Sequence, residues 1–329
     1  MNVAAFWLLA FMLTVYVLLD GYDFGVAMIT PFVARSDEER LASMRSVGPF
    51  WNGNEVWLIA TGAVLFAIFP QAYASAFSGF YLPFMVALWL LMFRGISLEL
   101  RGHFPSRIWH DFWDACFFLS STFLVLVFGV AFGNLLRGLP LSDGGSFRGT
   151  FALLLNPYAL LVGVFAMAAL VMHGAAFLRL RLNGAPSDRA AGAFVRIWVA
   201  VVVLYVIVTE WTLLLRNGFG NIHPFAVVMI VLSLASLATI QRARARDHAV
   251  ATFLASSAFL VTLLVAAAGT LFPYLLPAYP GGTNGISIYS AAPSLTGIAA
   301  AFAFTVAGLI GVIIFSAIAW RRVAGKIRV

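Results

Sequence analysis

Apolar stretches of about 20 residues recur along the whole of this chain of 329 residues. Each stretch is long enough to cross a hydrocarbon core of roughly 30 Å as an α-helix. Hydrophobic residues make up 62% of the sequence and charged residues only 10%, whereas soluble domains carry about 25% charged residues. These features exclude a water-soluble fold and predict an all-α integral membrane protein.

The apolar stretches and their polar interruptions predict about nine transmembrane helices. The first stretch lacks the basic start and small-residue cleavage pattern of a signal peptide, so we expect it to be retained as a span. We expect residues 1–329 to form a single polytopic membrane domain, arranged as two four-helix bundles plus one peripheral helix. The predicted spans lie near residues 3–30, 52–71, 74–94, 112–135, 152–178, 194–215, 222–241, 249–271 and 294–320.

The positions of the basic residues predict the orientation of these spans. If the N-terminus lies outside, only Arg137, Arg148 and Arg216 of the 20 basic residues fall in outer segments. Basic residues favour the cytoplasmic side, and one missed or false span would invert every later segment. The sequence therefore predicts nine spans with the N-terminus outside and the C-terminus in the cytoplasm. The net charge of +7 is interpreted as a topology signal, with no nucleic acid as partner.

Acidic residues at the ends of the first four predicted spans are the main candidates for function. Charged groups inside a membrane are costly, so they are functional candidates by default. By contrast, Asp37, Glu38 and Glu39 are expected in a loop and need no special role. The candidates are expected to gather on the cytoplasmic side as a polar cluster, either as a proton route or as an ion-pair network that pins helices together. The cluster is predicted to contain Asp20, Asp23, Glu55, Glu99 and Asp114, with Arg94 and Arg101 among them.

Small residues and turn signals accompany these acids. Asp20 and Asp23 are spaced i, i+3 and share a helix face, and Gly21 and Gly25 lie beside them. Small residues allow helices to approach closely in lipid, so a tight helix crossing is expected here. The segment from Gly48 to Glu55 is typical of a turn followed by a capped helix start.

The histidine and cysteine content gives little support for a redox centre within the chain. Haem iron needs axial ligands, most often histidine, and only His173 lies within a predicted span away from its ends; the other histidines fall in loops or at helix boundaries. A structural role is favoured for His173 and for the single Cys116. No metal-ligand spacing or phosphate-binding loop is present. We therefore expect no metal site, no catalytic residue and no bound cofactor in this chain alone.

An ordered set of motifs closely resembles subunit II of the cytochrome bd-type terminal quinol oxidases, the cyanide-insensitive type included. No single motif carries the resemblance; their shared order along essentially the whole chain does. The matching segments are Leu19–Gly25, Gly48–Leu58, Phe77–Tyr81, Phe93–Arg94, Gly129–Gly138, Asn156–Pro157, Phe272–Pro277 and Tyr289–Ala292.

The resemblance implies a role in aerobic respiration within the bacterial cytoplasmic membrane. In this family a haem-bearing subunit I oxidises quinol and reduces oxygen to water, with protons taken from the cytoplasm. Haems b and d, or b only, would then belong to that partner. Subunit II would be haem-free, support haem-site assembly and offer a proton-uptake route. A small accessory single-helix subunit, membrane lipid and quinone are the other implied partners.

The resemblance also assigns supporting roles within one motif and marks one departure from it. Supporting residues are expected to be Trp51, Asn54 and Trp57, together with the two arginines Arg94 and Arg101. The family often has aspartate where this chain has Asn52, and that aspartate is a proposed member of the proton route. Asparagine cannot ionise, so Asn52 enters the candidate cluster only as a group that holds water or orients a neighbour.

Two other functions fit a chain with these features. Nine helices with intramembrane acids also suit a proton-coupled secondary transporter, although matched interrupted helices in two halves are not evident. The other alternative is a purely structural scaffold subunit, in which the acids only hold helices together.

Overall fold

The computed structural model describes residues 1–142, 144–216, 223–279, 285–291, 295–322 and 325–327. Almost all of this is helical, as predicted. The elements are α1 (Asn2–Val33), α2 (Asp37–Val47), α3 (Trp51–Ile68), α4 (Pro70–Gly79), α5 (Tyr81–Leu100), a 3-10 turn (Arg101–His103), α6 (Arg107–Arg137), α7 (Phe151–Leu154), α8 (Pro157–Arg181), α9 (Ala185–Leu215), α10 (Pro224–Ala245), α11 (Ala249–Leu271), β1 (Tyr274–Leu276), β2 (Ile286–Ser287) and α12 (Leu295–Arg322).

Eight helices within the described ranges are long and apolar enough to cross a membrane, one fewer than the nine predicted. They are α1, α5, α6, α8, α9, α10, α11 and α12. The predicted span 52–71 instead corresponds to α3, which has only 18 residues. The first five residues of α3 include Asn52, Asn54 and Glu55, and these polar side chains lower the overall apolarity of the helix.

Prolines move the start of two predicted spans. Pro70 begins α4 directly after α3 ends, and α5 begins only at Tyr81, so the predicted span 74–94 is interrupted at Phe80. Pro157 begins α8, so residues 152–156 of the predicted span 152–178 lie outside that helix. Proline lacks a backbone N–H and has a fixed φ, which suits the first turn of a helix and disrupts its interior.

The segment expected as a loop after α1 contains the helix α2, so that prediction for its acidic residues is wrong. Ser36 caps α2: its side chain accepts a hydrogen bond from the Glu39 amide, and the Glu39 carboxylate accepts one from the Ser36 amide. Glu39 also forms an ion pair with Arg189 of α9, and the Arg189 Nε donates to the Val33 carbonyl at 2.5 Å. Glu39 therefore joins α2 to α9.

Glu39→Ala is expected to lower the stability of the purified complex by about 0.5–2 kcal/mol, the usual cost of losing a helix cap. Burial raises the pKa of Glu39, but hydrogen bonds from Arg189, Arg35 and Ser36 outweigh it and hold the pKa below the ordinary 4.5. A lowered folded-state pKa means that this stabilisation is present above the ordinary value and is lost as pH falls through the folded one. Thermal unfolding of the parent and the variant at a series of pH values measures this stabilisation. Glu38→Ala is the control, since Glu38 is exposed, and an equal loss in both variants would contradict the assignment.

The long helices pack as two groups joined by α1 and α8. In the first group α1 contacts α3 and α6, and α5 contacts α6. In the second, α8 contacts α9 and α11, and α10 contacts α11. The helix α12 packs against α3. Because α6 also contacts α8, the two groups pack directly against each other, and the arrangement as two four-helix bundles plus one peripheral helix stays a prediction.

The tight crossing predicted near Gly25 is confirmed, and it joins α1 to α8. A Cβ atom added at Gly25 would lie 1.9 Å from the Leu170 carbonyl oxygen, and one added at Gly174 would lie 2.2 Å from the Gly25 carbonyl carbon. The two backbones are therefore in direct contact. This crossing fixes the α1 segment that carries Asp20 and Asp23.

Candidate functional site

The centre of the candidate site is the Arg94 guanidinium of α5, which is completely buried. It forms an ion pair with Asp20 of α1 through both terminal nitrogens. Its Nη1 also lies 3.0 Å from Glu55 Oε1 of α3, and its Nη2 lies 3.5 Å from Asp23 Oδ2. One arginine thus joins α1, α3 and α5, and it faces three carboxyl groups.

The neighbouring residue Asn54 completes this group, which we call the inner cluster (Asp20, Asp23, Asn54, Glu55 and Arg94). The Asn54 Nδ2 donates to Asp23 Oδ2 at 2.8 Å and lies 3.0 Å from the Tyr22 hydroxyl. It also donates to the Leu19 carbonyl at 3.2 Å. These contacts fix the Asp23 carboxyl against α3, as expected for a satisfied buried polar group.

Burial divides the three carboxyl groups of the inner cluster into two kinds. The side chains of Asp20 and Asp23 have no exposed surface, whereas that of Glu55 is 20% exposed. Glu55 is therefore the member of the cluster with access to the exterior of the chain.

The inner cluster has more acidic than basic groups in contact. If all three carboxyl groups were ionised, the four charged groups would carry a net charge of −2 in a water-poor interior. Burial of unpaired charge is costly, and protonation of a carboxyl group removes the charge. Among the described residues, Asp23 Oδ1 and Arg94 Nε are buried without a hydrogen-bond partner. The Asp23 oxygen can therefore accept a proton or a hydrogen bond from water, and the Arg94 Nε–H can donate a hydrogen bond to water.

A second group of charges lies at the ends of α5 and α6, and we call it the rim cluster (Asp37, Arg40, Arg101, Asp111 and Asp114). Arg101 lies 2.5 Å from Asp114 and 2.7 Å from Asp37, and Arg40 lies 3.0 Å from Asp111. The single cluster predicted from sequence is therefore two clusters. Asp114 and Arg101 belong to the rim, where each aspartate has an arginine partner and several of the side chains are partly exposed.

Two predicted members lie in neither cluster. Glu99 is exposed on α5 and forms no ion pair in the described part of the chain. Asn52 is also exposed, on the opposite side of the α3 first turn from Asn54. The spacing explains this placement, since residues two apart on a helix point to different faces. The prediction that these two side chains join the cluster is wrong for this chain.

The two predicted tryptophans of the α3 motif have packing positions. Trp57 is buried, its ring meets that of Phe11 edge-on at 6.3 Å, and its Nε1 has no hydrogen-bond partner in the structure. Trp51 is partly exposed and lies against Gly95 of α5, where an added Cβ would be 3.0 Å from its ring. Both rings therefore pack beside the inner cluster without contacting its carboxyl groups.

Residues outside the predicted set contribute to both clusters. The Tyr22 hydroxyl accepts a hydrogen bond from Asn54, and Asp37 and Arg40 each form ion pairs within the rim cluster. Tyr22 lies between the two predicted aspartates, and no feature of the sequence marked it as a member of the site. The helix that carries Asp37 could have been predicted, because Ser36 followed three residues later by Glu39 is the sequence pattern of a capping box.

The structure gives His173 a structural setting, as its position in the sequence favoured. Its side chain is fully buried; Nδ1 lies 2.8 Å from Ser256 Oγ and Nε2 lies 3.2 Å from the Leu18 carbonyl oxygen. Its ring stacks on Phe253 at 5.0 Å. With both nitrogens occupied, the residue does not fit the role of a haem ligand. In the described ranges, no group of three or more His, Cys, Asp or Glu is placed to hold a metal ion.

Comparison with known proteins identifies the family. Residues 1–323 match the family described as cytochrome bd terminal oxidase subunit II. The chain is 32% identical to the cytochrome bd-I ubiquinol oxidase subunit 2 of Escherichia coli K12, over 82% of this chain and 80% of that one. It is 34% identical to the cytochrome bd ubiquinol oxidase subunit 2 of Bacillus subtilis, over 69% and 68%.

A solved structure supports the fold independently of sequence. The bd oxidase structure from Geobacillus thermodenitrificans contains a chain that matches 98% of this one, and 98% of that chain is covered. The TM-score is 0.81 at 17% identity, so the likeness concerns the helical fold. Together with the sequence matches, it establishes that the chain is a multi-pass protein of the bacterial inner membrane and belongs to the cytochrome bd terminal oxidase subunit II family.

Proposed function

We propose that this chain is the haem-free subunit of its quinol oxidase complex and that its inner cluster takes up protons from the cytoplasm. The observation that supports the proposal is the excess of buried carboxyl groups around Arg94. Intramembrane acids of this kind mark proton relays in many membrane proteins. The proposal treats residues 1–329 as one membrane domain beside a haem-bearing subunit I.

The proposed route begins at Glu55, the carboxyl group with exposed surface. A proton from cytoplasmic water binds the Glu55 carboxylate and is passed to Asp20 or Asp23, which leaves Glu55 ionised again. Arg94 keeps its positive charge throughout and stabilises whichever carboxylates are ionised. Asn54 holds Asp23 in place and carries no proton itself.

The side chains of this chain support the assignment of the haems to the partner subunit. Haem needs a free axial ligand, and the buried His173 uses both ring nitrogens within the chain. We therefore assign haems and quinol oxidation to subunit I, with ubiquinol as the substrate suggested by the relatives' names. A supporting role in assembly fits the way in which Arg94 fastens three helices together. A small accessory subunit and bound quinone remain part of the proposal.

Glu55→Gln separates proton transfer from a purely structural role. Glutamine keeps the size of the side chain and its oxygen still accepts from Arg94, but it does not carry a proton as a carboxyl group does. We expect normal haem content and oxygen reduction slowed by about tenfold or more, since positioned proton-transfer groups contribute about 10²–10⁴-fold. Haem absorbance and quinol-dependent oxygen consumption of the purified complex measure the two effects.

Glu99→Gln is the matched control, because Glu99 is a glutamate at the same side of the fold without an ion pair. Its activity is expected to stay within about twofold of the parent, as for most surface substitutions. Lost haem in Glu55→Gln would instead favour the scaffold role. Unchanged haem and unchanged turnover would place the proton route elsewhere. Proton-coupled uptake by this chain alone in vesicles would favour the transporter alternative.

A further inference from the structure

An open groove lies between α9 and α10, and none of its lining residues belongs to the inner cluster. Its volume is about 470 Å³, within the range of about 300–1,000 Å³ that is common for ligand sites. Its walls are mainly apolar, and Trp198 closes one side by donating its Nε1 hydrogen to the Leu237 carbonyl at 3.0 Å. The α10 wall consists of Leu234, Leu237, Ala238, Gln241, Arg242 and Ala245.

The groove ends in a patch of uncompensated positive charge. Arg242 lines it, and Arg246 follows one turn later at the end of α10. Both side chains are exposed, and neither forms an ion pair within the described ranges. The nearby Asp247 is already paired with Arg179. Like charges at i, i+4 repel each other, so this end of the groove favours an anion.

A buried acceptor lies beside these arginines. The Gln241 Oε1 atom has almost no solvent-accessible surface and no hydrogen-bond partner in the structure. Such an atom costs free energy unless a donor reaches it. Cations also suit the C-terminus of a helix, which accounts for the two arginines. The helix dipole does not account for the unpaired Gln241 oxygen next to an empty groove wall.

We propose that this groove binds an anionic phospholipid whose headgroup carries hydroxyl donors, as in phosphatidylglycerol. One acyl chain lies along Leu234 and Ala238 and packs against Trp198. The phosphate faces Arg242 and Arg246. The half-buried Gln241 side chain turns towards the groove, where its Oε1 accepts a hydrogen bond from a headgroup hydroxyl. Basic pockets between transmembrane helices are a recognised way to hold anionic lipid headgroups. The groove thus combines an apolar channel, a positive end and an unsatisfied acceptor.

The test uses the purified, delipidated oxidase complex and native mass spectrometry. Dioleoyl phosphatidylglycerol and dioleoyl phosphatidylcholine are titrated separately. We expect one phosphatidylglycerol to be retained more tightly than phosphatidylcholine, with affinity reduced about fivefold for each arginine removed in Arg242→Gln and Arg246→Gln. Arg148→Gln makes the same charge change at an exposed site elsewhere and is expected to leave binding unchanged.

A second pair of variants tests the groove itself. Ala238→Phe fills the channel and is expected to remove the bound lipid, whereas Ala235→Phe adds the same bulk on an exposed face of α10 outside the groove. Equal retention in both phenylalanine variants would overturn the proposal. So would equal affinity for the two lipids. Displacement by millimolar inorganic phosphate would show a simple anion site and would also overturn it.

Discussion

Oxidase complexes that carry Arg94→Gln are expected to assemble poorly and to contain little haem. The change leaves the carboxyl groups of Asp20, Asp23 and Glu55 without their shared cation in a buried position. Removing one partner of a buried ion pair costs about 3–5 kcal/mol, a large part of the roughly 5–15 kcal/mol that stabilises a typical folded protein. The measurement is the yield of complex from membranes and its ratio of haem to protein.

A compensating variant separates loss of charge balance from loss of shape. Arg94→Gln combined with Asp20→Asn removes one negative charge along with the positive one, so it is expected to recover part of the lost yield. Arg94→Lys keeps the charge but not the two-nitrogen contact with Asp20, and an intermediate yield is expected. Normal yield and haem content in Arg94→Gln would show that the inner cluster does not hold α1, α3 and α5 together.

Gly25→Ala is expected to have a comparably large effect on assembly. An added Cβ would lie 1.9 Å from the Leu170 carbonyl oxygen, and backbone atoms have no alternative rotamer to adopt. The crossing of α1 and α8 must therefore open, which costs typically 1–3 kcal/mol or more in a packed interior. Complex yield and thermal unfolding measure the loss.

The same substitution at Gly192 is the matched control for Gly25→Ala. Gly192 lies in α9, and an added Cβ there meets nothing within 4 Å. Alanine favours a helix over glycine by about 0.5–1 kcal/mol, so Gly192→Ala is expected to be neutral or slightly stabilising. If both variants lose stability equally, the close approach of α1 and α8 is not the cause of the loss.

Much of the helical fold could be predicted, because apolar length and proline position are local properties of the sequence. The helix boundaries that differ from the predicted spans also have local causes. Pro83 lies in the first turn of α5, consistent with the break at Phe80, and Pro157 starts α8. The polar first turn of α3 sets it apart from the eight apolar helices. These signals were present in the sequence, but the apolar residues on both sides of each proline obscured them.

The candidate site could be predicted only in part. The i, i+3 spacing correctly placed Asp20 and Asp23 on one face, and the acids suggested a basic partner. Which arginine meets which acid depends on helices that are 74 residues apart in sequence, and no local pattern encodes that register. The same limit explains why Glu99 stays apart and why Asp114 pairs with Arg101 at the rim.

At the start of α3, the position of a residue within one helical turn determines whether its side chain reaches the inner cluster. The resemblance to the family directed attention to Asn52, where it led us to expect an acid. The structure instead places Asn54 against Asp23 at 2.8 Å and leaves Asn52 exposed. The asparagine at position 52 therefore takes no part in the inner cluster of this chain. The acids of that cluster are Asp20, Asp23 and Glu55.

Time-resolved proton uptake tests the central claim most directly. Fully reduced oxidase in proteoliposomes is mixed with oxygen while a pH indicator reports the cytoplasmic side. With Glu55→Gln, we expect full haem content and proton uptake slowed about tenfold or more, while Glu99→Gln takes up protons at the parental rate. Parental uptake in fully assembled Glu55→Gln would contradict the account, because protons would then reach the oxygen-reducing centre without passing the inner cluster.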